Sequence, residues 1–203
     1  MSLITMRHSI RAEQDRLDTT PSGVAMVCFW TLYRFRRPAR LPQLSLHSPL
    51  GSLTLTQEDD ALVALDWGWG RDQQETVLLC EARNQLNSYF DGELTRFTLP
   101  LSPVSSTPYR RRVWAALAEI PFGETRTYAE LAQRAGGSAR SVGQANRVNP
   151  LPILIPCHRV VAATHIGGFS MEGGLQTKRF LLSLERGSGA EVGAEPVHGD
   201  QRV

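Results

Sequence analysis

The chain is 203 residues long, 41% apolar and 21% charged, with a formal net charge of +2. These values are those of an ordinary soluble globular protein of one large or two small domains, and they give no support to collagen-like, low-complexity or strongly charged disordered classes. Its three cysteines, Cys28, Cys80 and Cys157, are odd in number and form no CxxC pair, which argues against a disulfide framework or a zinc finger and favours a reducing compartment.

Residues 1–42 read as a polar, Arg-rich, poorly ordered leader. The apolar stretch from Val24 to Phe35 is broken by Thr31 and Arg34; it is too short to span a bilayer and no small-residue cleavage site follows, so no membrane anchor is expected. From Leu44 to Asp66, apolar and polar residues alternate around turn signals at Pro49–Gly51 and Glu58–Asp60, the pattern of a small antiparallel meander. In residues 78–93, Leu78, Leu79, Ala82, Leu86, Tyr89 and Phe90 recur at helical spacing until Asp91-Gly92, which predicts one helix packed on that sheet. Residues 43–100 are thus expected to form a sheet-plus-helix domain, with a Pro- and Ser-rich linker over 101–108.

A second domain is expected over 109–185. It opens with a helix whose stripe is Val113, Trp114, Leu117 and Ile120, turned by Pro121-Phe122-Gly123. Thr127 and Glu130 have the spacing of a capping box, so a helix should begin there and run to about Ala135. Gly136-Gly137 breaks it, and Ser138 is placed to cap a second helix through about Arg147. Two helices across a tight glycine turn describe a helix-turn-helix, a weak signal alone. Residues 109–185 also carry ten Lys or Arg against five Glu, a surplus of five in a chain whose total is +2. That asymmetry points to a polyanion, although surface charge more often means only solvation. In the second helix Gln144 and Asn146 are candidate groove readers, while the small residues Ser138, Ala139, Ser141, Gly143 and Ala145 suit close approach either to a partner or to the first helix.

The apolar run Ile153-Leu154-Ile155 ends at Pro156 and is followed by Cys157-His158-Arg159. The run reads as a buried strand, and it sets a thiol beside an imidazole at the strand end. A cysteine acts as a nucleophile only as the thiolate, and a neighbouring base is the usual means of reaching it. The plainer alternative is a small buried hydrophobe beside a core histidine.

The stretches VWAALAEIPFGETRTYAELA, SARSVGQANRVNPLPILIPCHRVV and GGLQTKRFLLSLE together resemble the O6-alkylguanine-DNA alkyltransferase family, and SPLGSLTL and NQLNSYFDGE resemble its N-terminal domain more weakly. The resemblance covers about residues 44–185. It implies an α/β architecture: a small ribonuclease-H-like sheet domain, then a helical, winged helix-turn-helix-like domain that binds duplex DNA. It also implies irreversible transfer of an alkyl group from O6-alkylguanine to the protein's own cysteine, after the damaged nucleotide is flipped out of the stack.

The resemblance also implies a role for each residue of the site. Cys157 is the alkyl acceptor, His158 the base that activates it through water, and Glu185 the acid that holds the imidazole. Asn149 ties the turn before the cysteine, Pro152 lines the pocket, and the carbonyls of Cys157 and Val160 face the guanine amino group. Tyr128 crowds the phosphate and meets the extruded base; Arg140 fills the vacated stack. Phe169 stands where the family often has Tyr, and Ser170 aligns with the residue whose amide faces guanine O6. Without the resemblance, Glu185 reads as a helix-end surface acid, Arg140 as a solvated helix residue, Tyr128 as a first-turn aromatic and Asn149 as a plain turn former. Arg159 reads as structural, and Lys178 either as a pocket neighbour or as a surface residue.

The loop AATHIGGFSMEGGL is one residue longer than the family spacing, which bears on substrate range. No metal and no cofactor is expected. The expected partner is double-stranded DNA carrying O6-alkylguanine, bound by a monomer in the cytoplasm, or in the nucleus of a eukaryote. Residues 186–203 read as a disordered tail. Two other classes compete: a lesion-binding protein without transfer activity, against which Cys157 argues, and a Cys-His hydrolase, which would need an oxyanion hole and a route for water.

Overall fold

The computed structural model describes residues 41–103 and 106–187. The leader expected over 1–42 and the tail expected over 186–203 lie almost wholly outside these residues.

The antiparallel meander is present as β1 (Gln43–Ser48), β2 (Gly51–Glu58) and β3 (Ala61–Trp67), ordered β1-β2-β3. Its register sets Leu44 opposite Leu55 and Leu46 opposite Leu53, so the alternation seen in sequence puts four leucines on one face. A helix, α1 (Val77–Phe90), covers them with Leu79, Ala82, Leu86 and Tyr89. Each fully buried leucine contributes about 1.5–3 kcal/mol against exposure. Thr76 caps α1 by accepting from the Leu79 amide at 3.1 Å. On the other sheet face Ser45 and Thr54 bond each other at 2.9 Å, which satisfies two buried hydroxyls.

The segment after α1 is less free than a linker. The Leu62 amide donates to Pro100 O at 2.9 Å and the Ser102 amide donates to Leu62 O at 2.8 Å. Leu101 thereby forms a parallel bridge to the start of β3.

Three helices build the next layer. The first, α2 (Pro108–Ala118), has Thr107 as its cap and a proline in its first turn, where the missing N–H costs nothing. The next is α3 (Tyr128–Ala135), and the reciprocal Thr127–Glu130 capping box read from sequence is formed. The third is α4 (Ala139–Arg147), capped by Ser138. Between α3 and α4 the chain turns at Gly137, φ +96°, where a Cβ would meet Tyr109 Oη and Ser141 Oγ at 2.8 Å. Trp114 of α2 donates from Nε1 to Ala145 O at 3.1 Å, which ties α2 to α4. Two short strands, β4 (Arg126–Thr127) and β5 (Val160–Val161), pair in parallel.

One expectation is corrected. Residues 153–155 are not a strand: they lie in turns that thread through the core, and the only strand of this region, β5, follows Cys157 rather than preceding it. Prolines at 150, 152 and 156 remove three ladder donors, and Ile153 sits at φ +72°. That left-handed conformation is strained for a β-branched residue. The burial that a continuous apolar run implies is real, but here it belongs to a loop packed in the core and not to a strand. Cys157–Arg159 form a single 3-10 turn.

The last helix, α5 (Gly174–Glu185), turns Lys178, Leu181, Leu182 and Glu185 inward at helical spacing. Among the described residues, no helix is long and apolar enough to cross a membrane.

Candidate active site

The turn before Cys157 is held from both ends. Asn149 donates from Nδ2 to Ile155 O at 2.9 Å and accepts the Leu151 amide on Oδ1 at 3.1 Å, so one side chain closes the loop around Ile153. From the sheet, the Leu65 amide of β3 donates to Pro150 O at 2.9 Å. The sulfur-bearing residue therefore sits on backbone that both halves of the protein fix in place.

Cys157 is 3% exposed. It lines a cavity of about 300 Å³ together with Tyr128, Gly143, Asn146, Arg147 and the segment Gly168–Met171. Burial pushes the thiol above its usual range, because a thiolate loses solvation there. Hydrogen bonding from the Asn149 side chain and the positive charge of Lys178 work in the opposite direction.

His158 is fully buried. Its Nε2 lies 2.8 Å from Glu185 Oε1, while Nδ1 has no hydrogen-bond partner within the described protein. Burial depresses the imidazole pKa; the Glu185 hydrogen bond and charge oppose that, and Arg159 and Lys178 reinforce it. The ring is thus held neutral at physiological pH. With Nε2–H donating to Glu185, Nδ1 is the nitrogen left to take a proton.

Glu185 is the hub. Its Oε1 accepts from Tyr89 Oη at 2.7 Å and from an Arg159 terminal nitrogen at 2.9 Å, and its Oε2 accepts from Arg159 Nε at 2.8 Å and the Gly123 amide at 3.2 Å. Burial alone would raise its pKa, but the hydrogen bonds from His158 and Arg159, with the charge of the Arg159 guanidinium, outweigh burial and hold it at about 2. The carboxylate is charged throughout the range in which His158 can titrate. The surface-acid alternative for Glu185 is excluded by its position, 4% exposed. Arg159 also donates to Ile120 O at 2.6 Å, in keeping with the structural part read for it.

Lys178 is not a surface residue: it is fully buried and its ammonium donates to Val160 O at 2.6 Å and Gly168 O at 3.2 Å. Burial lowers its pKa to about 8, with Cys157 acting the other way. It stitches the strand after Cys157 to the loop that forms the far wall of the cavity.

Tyr128, Phe169 and Ser170 line the same cavity as Cys157. Burial, followed by the negative charge available to Cys157, raises the Tyr128 phenol. Arg140 lies exposed in the first turn of α4, and Pro152 and Val160 are buried and are not among the residues that line the cavity. Of the two candidate groove readers, Gln144 points to solvent; Asn146 is buried against the cavity with both amide atoms unpartnered. Tyr89 carries no signal as a site residue in the sequence, because an aromatic at helical spacing reads as core. Glu185 and Lys178 do carry one, since both share the inward stripe of Leu181 and Leu182.

This arrangement can deprotonate a buried thiol toward a neutral imidazole whose far side is held by a charged carboxylate. Among the described residues no cluster of His, Cys, Asp and Glu is suited to a metal ion.

Two family models match the chain: the DNA-binding domain of 6-O-methylguanine DNA methyltransferase over residues 108–187, and the ribonuclease-like domain of the same family over residues 31–103. The constitutive methylated-DNA--protein-cysteine methyltransferase of Bacillus subtilis is 42% identical over 156 residues, covering 68% of this chain and 92% of the relative. The corresponding Methanosarcina acetivorans protein is 40% identical over 149 residues, covering 68% and 94%. A crystal structure of Mycobacterium tuberculosis OGT in complex with DNA superposes with a TM-score of 0.65 at 40% identity, covering 72% of this chain and 94% of that one.

Proposed function

The chain belongs to the O6-methylguanine DNA methyltransferase family, and from that premise we propose that Cys157 is the residue that takes the alkyl group. The protein is a methylated-DNA--protein-cysteine methyltransferase that repairs DNA by transferring the alkyl group of O6-alkylguanine to its own cysteine. The observation that carries the assignment is the buried thiol at a cavity wall, adjacent in sequence to an imidazole whose Nε2 lies 2.8 Å from a saturated carboxylate.

His158 Nδ1 receives the thiol proton through a bridging water, and the thiolate sulfur attacks the alkyl carbon from the side opposite O6. The S–C bond forms as the C–O6 bond breaks, the electron pair stays on O6, and the proton taken from the thiol neutralises the departing guanine. A thioether has no acyl carbon for water to attack, so the protein is consumed after one transfer. Asn149 and Lys178 assist by stabilising the sulfur charge against burial.

The substrate is duplex DNA carrying the lesion, and the nucleotide must leave the stack to reach a thiol 3% exposed, at a cost of about a few kcal/mol. Tyr128 and Phe169 supply aromatic walls for the extruded base, Ser170 presents its backbone to guanine O6, and Arg140 fills the gap left in the duplex. The carbonyls of Cys157 and Val160 face the guanine amino group. A one-to-one encounter of this kind requires only a monomer, and the cysteine usage suits a reducing compartment.

The reading is tested with duplex DNA carrying labelled O6-methylguanine. Covalent capture of at most one label per chain is expected. Tight binding with no label on protein would instead indicate a lesion sensor, and free label released over many turnovers a hydrolase.

A further inference from the structure

Tyr89 belongs to the sheet-bearing half of the protein, yet its hydroxyl reaches a carboxylate 96 positions away in α5. Its ring is 1% exposed and is held by Phe90, Phe97 and Phe122, with centroids 5.4, 5.3 and 6.1 Å away. An aromatic cage of this kind leaves the hydroxyl little freedom of direction. A buried tyrosine needs some acceptor, and a backbone carbonyl would satisfy it. Here the acceptor is the oxygen that also faces His158 Nε2, at 2.7 Å from the phenol and 2.8 Å from the imidazole.

We infer that Tyr89 is a positioning residue for alkyl transfer: its hydroxyl orients the Glu185 carboxylate and limits how much of that charge the His158 imidazole feels. The inference rests on the function proposed above. Two effects follow from donation to a shared oxygen. The carboxylate plane is fixed relative to the imidazole, so Nδ1 keeps one direction toward the thiol. Each further donor on Oε1 also draws charge away from the Nε2 contact, which keeps His158 from becoming too basic to be neutral.

The charged groups acting on His158 are Glu185 and Lys178 from α5 and Arg159 from its own turn, where the titratable Cys157 is its neighbour in sequence; Tyr89 of α1 reaches it through Glu185. Arg159 already bonds both oxygens of Glu185. Removing the tyrosine hydroxyl alone therefore leaves no orphaned acceptor, and a phenylalanine keeps the ring packing. The hydroxyl is also a direct link by which the sheet-bearing half acts on the reaction; the Leu65 amide on Pro150 is a second.

The test is the pH dependence of the single-turnover transfer rate from an O6-methylguanine duplex, using the full chain. In Tyr89→Phe the carboxylate is less shielded and more basic, so the acid limb should move up by about 0.5–1 pH unit. The plateau rate should fall by about threefold or more as the dyad loosens. An acid limb that stays in place, with only a lower melting temperature, would assign Tyr89 to packing and overturn the inference. Site-specific 3,5-difluorotyrosine at position 89, a stronger donor, provides the opposite perturbation should Tyr89→Phe fail to fold. It should move the limb down, and an upward or absent shift contradicts the proposal. In a Glu185→Gln background the shift caused by Tyr89→Phe should vanish; a shift that persists there overturns it as well. If the unaltered protein captures no label, the proposed function itself fails; transfer with an unmoved limb sinks only this inference.

Discussion

Asn146 places a donor and an acceptor in the interior and bonds neither within the described protein. Leaving a buried amide unpaired costs about 1–3 kcal/mol, whereas an apolar side chain of the same shape carries no such penalty. Asn146→Leu is therefore expected to raise the urea midpoint by an amount equivalent to about 1 kcal/mol. A loss of stability in that variant would show that the amide has a partner in solution. At this scale the sequence is an uneven guide. Cys157, His158 and Glu185 were legible through the family resemblance, and the structure brings the imidazole and the carboxylate to 2.8 Å. Tyr89 was not, because its partner is 96 positions away and no local pattern encodes a contact of that range. Lys178 is open in sequence between pocket neighbour and surface residue because lysine is seldom fully buried; the structure puts it on the inward stripe with Leu181 and Leu182.

Helix boundaries were the most legible features among the secondary-structure elements. The Thr127–Glu130 box and the Ser138 cap both form where hydroxyl and helix start are adjacent, since a cap is a local hydrogen-bonding event that needs no tertiary contact. The segment at 153–155 went the other way. A short apolar run cannot distinguish a buried strand from a buried loop, and three prolines together with the left-handed Ile153 decide for the loop. The helix-turn-helix made by α3 and α4 leaves Arg140 exposed at the start of α4, with no carboxylate in ion-pair range among the described residues. If Arg140 fills the gap left by a flipped nucleotide, it matters only where there is a stack to fill. Arg140→Ala should slow repair of duplex DNA by about tenfold or more while leaving reaction with free O6-alkylated base within about twofold. Equal losses on both substrates would remove that role from Arg140 and assign it to general scaffold stability.

For the whole molecule, the surplus of five positive charges over residues 109–185 is only partly a surface property. Arg159 and Lys178 are buried, and Arg126 and Arg134 pair with Glu124 and Glu119, so the positive charge open to solvent rests on the remaining arginines, including Arg110, Arg111, Arg140, Arg147 and Arg179. The buried charge cluster also fixes how stability responds to acid. Glu185 titrates at about 2 in the folded state against about 4.3 unfolded, so the unfolded chain binds more protons between these values and stability falls as pH drops through that window. His158 is depressed as well, and the same sign applies: below about 6.5 the unfolded chain takes up a proton that the buried imidazole resists. The urea midpoint should therefore begin to fall below about pH 6.5 and fall more steeply below about 4.3; Glu185→Gln, less stable at neutral pH, should lack the lower step. A flat profile between pH 6.5 and 3 would contradict the cluster as described.

In the proposed function one thiol, and no other, accepts the alkyl group. Peptide mass spectrometry of the protein after reaction with the labelled duplex reads this directly, with Cys28 and Cys80 in the same digest as internal controls. Label is expected on the peptide containing Cys157 alone, at up to one per chain, and none after Cys157→Ser. Label on either other cysteine, or undiminished capture by Cys157→Ser, would contradict it.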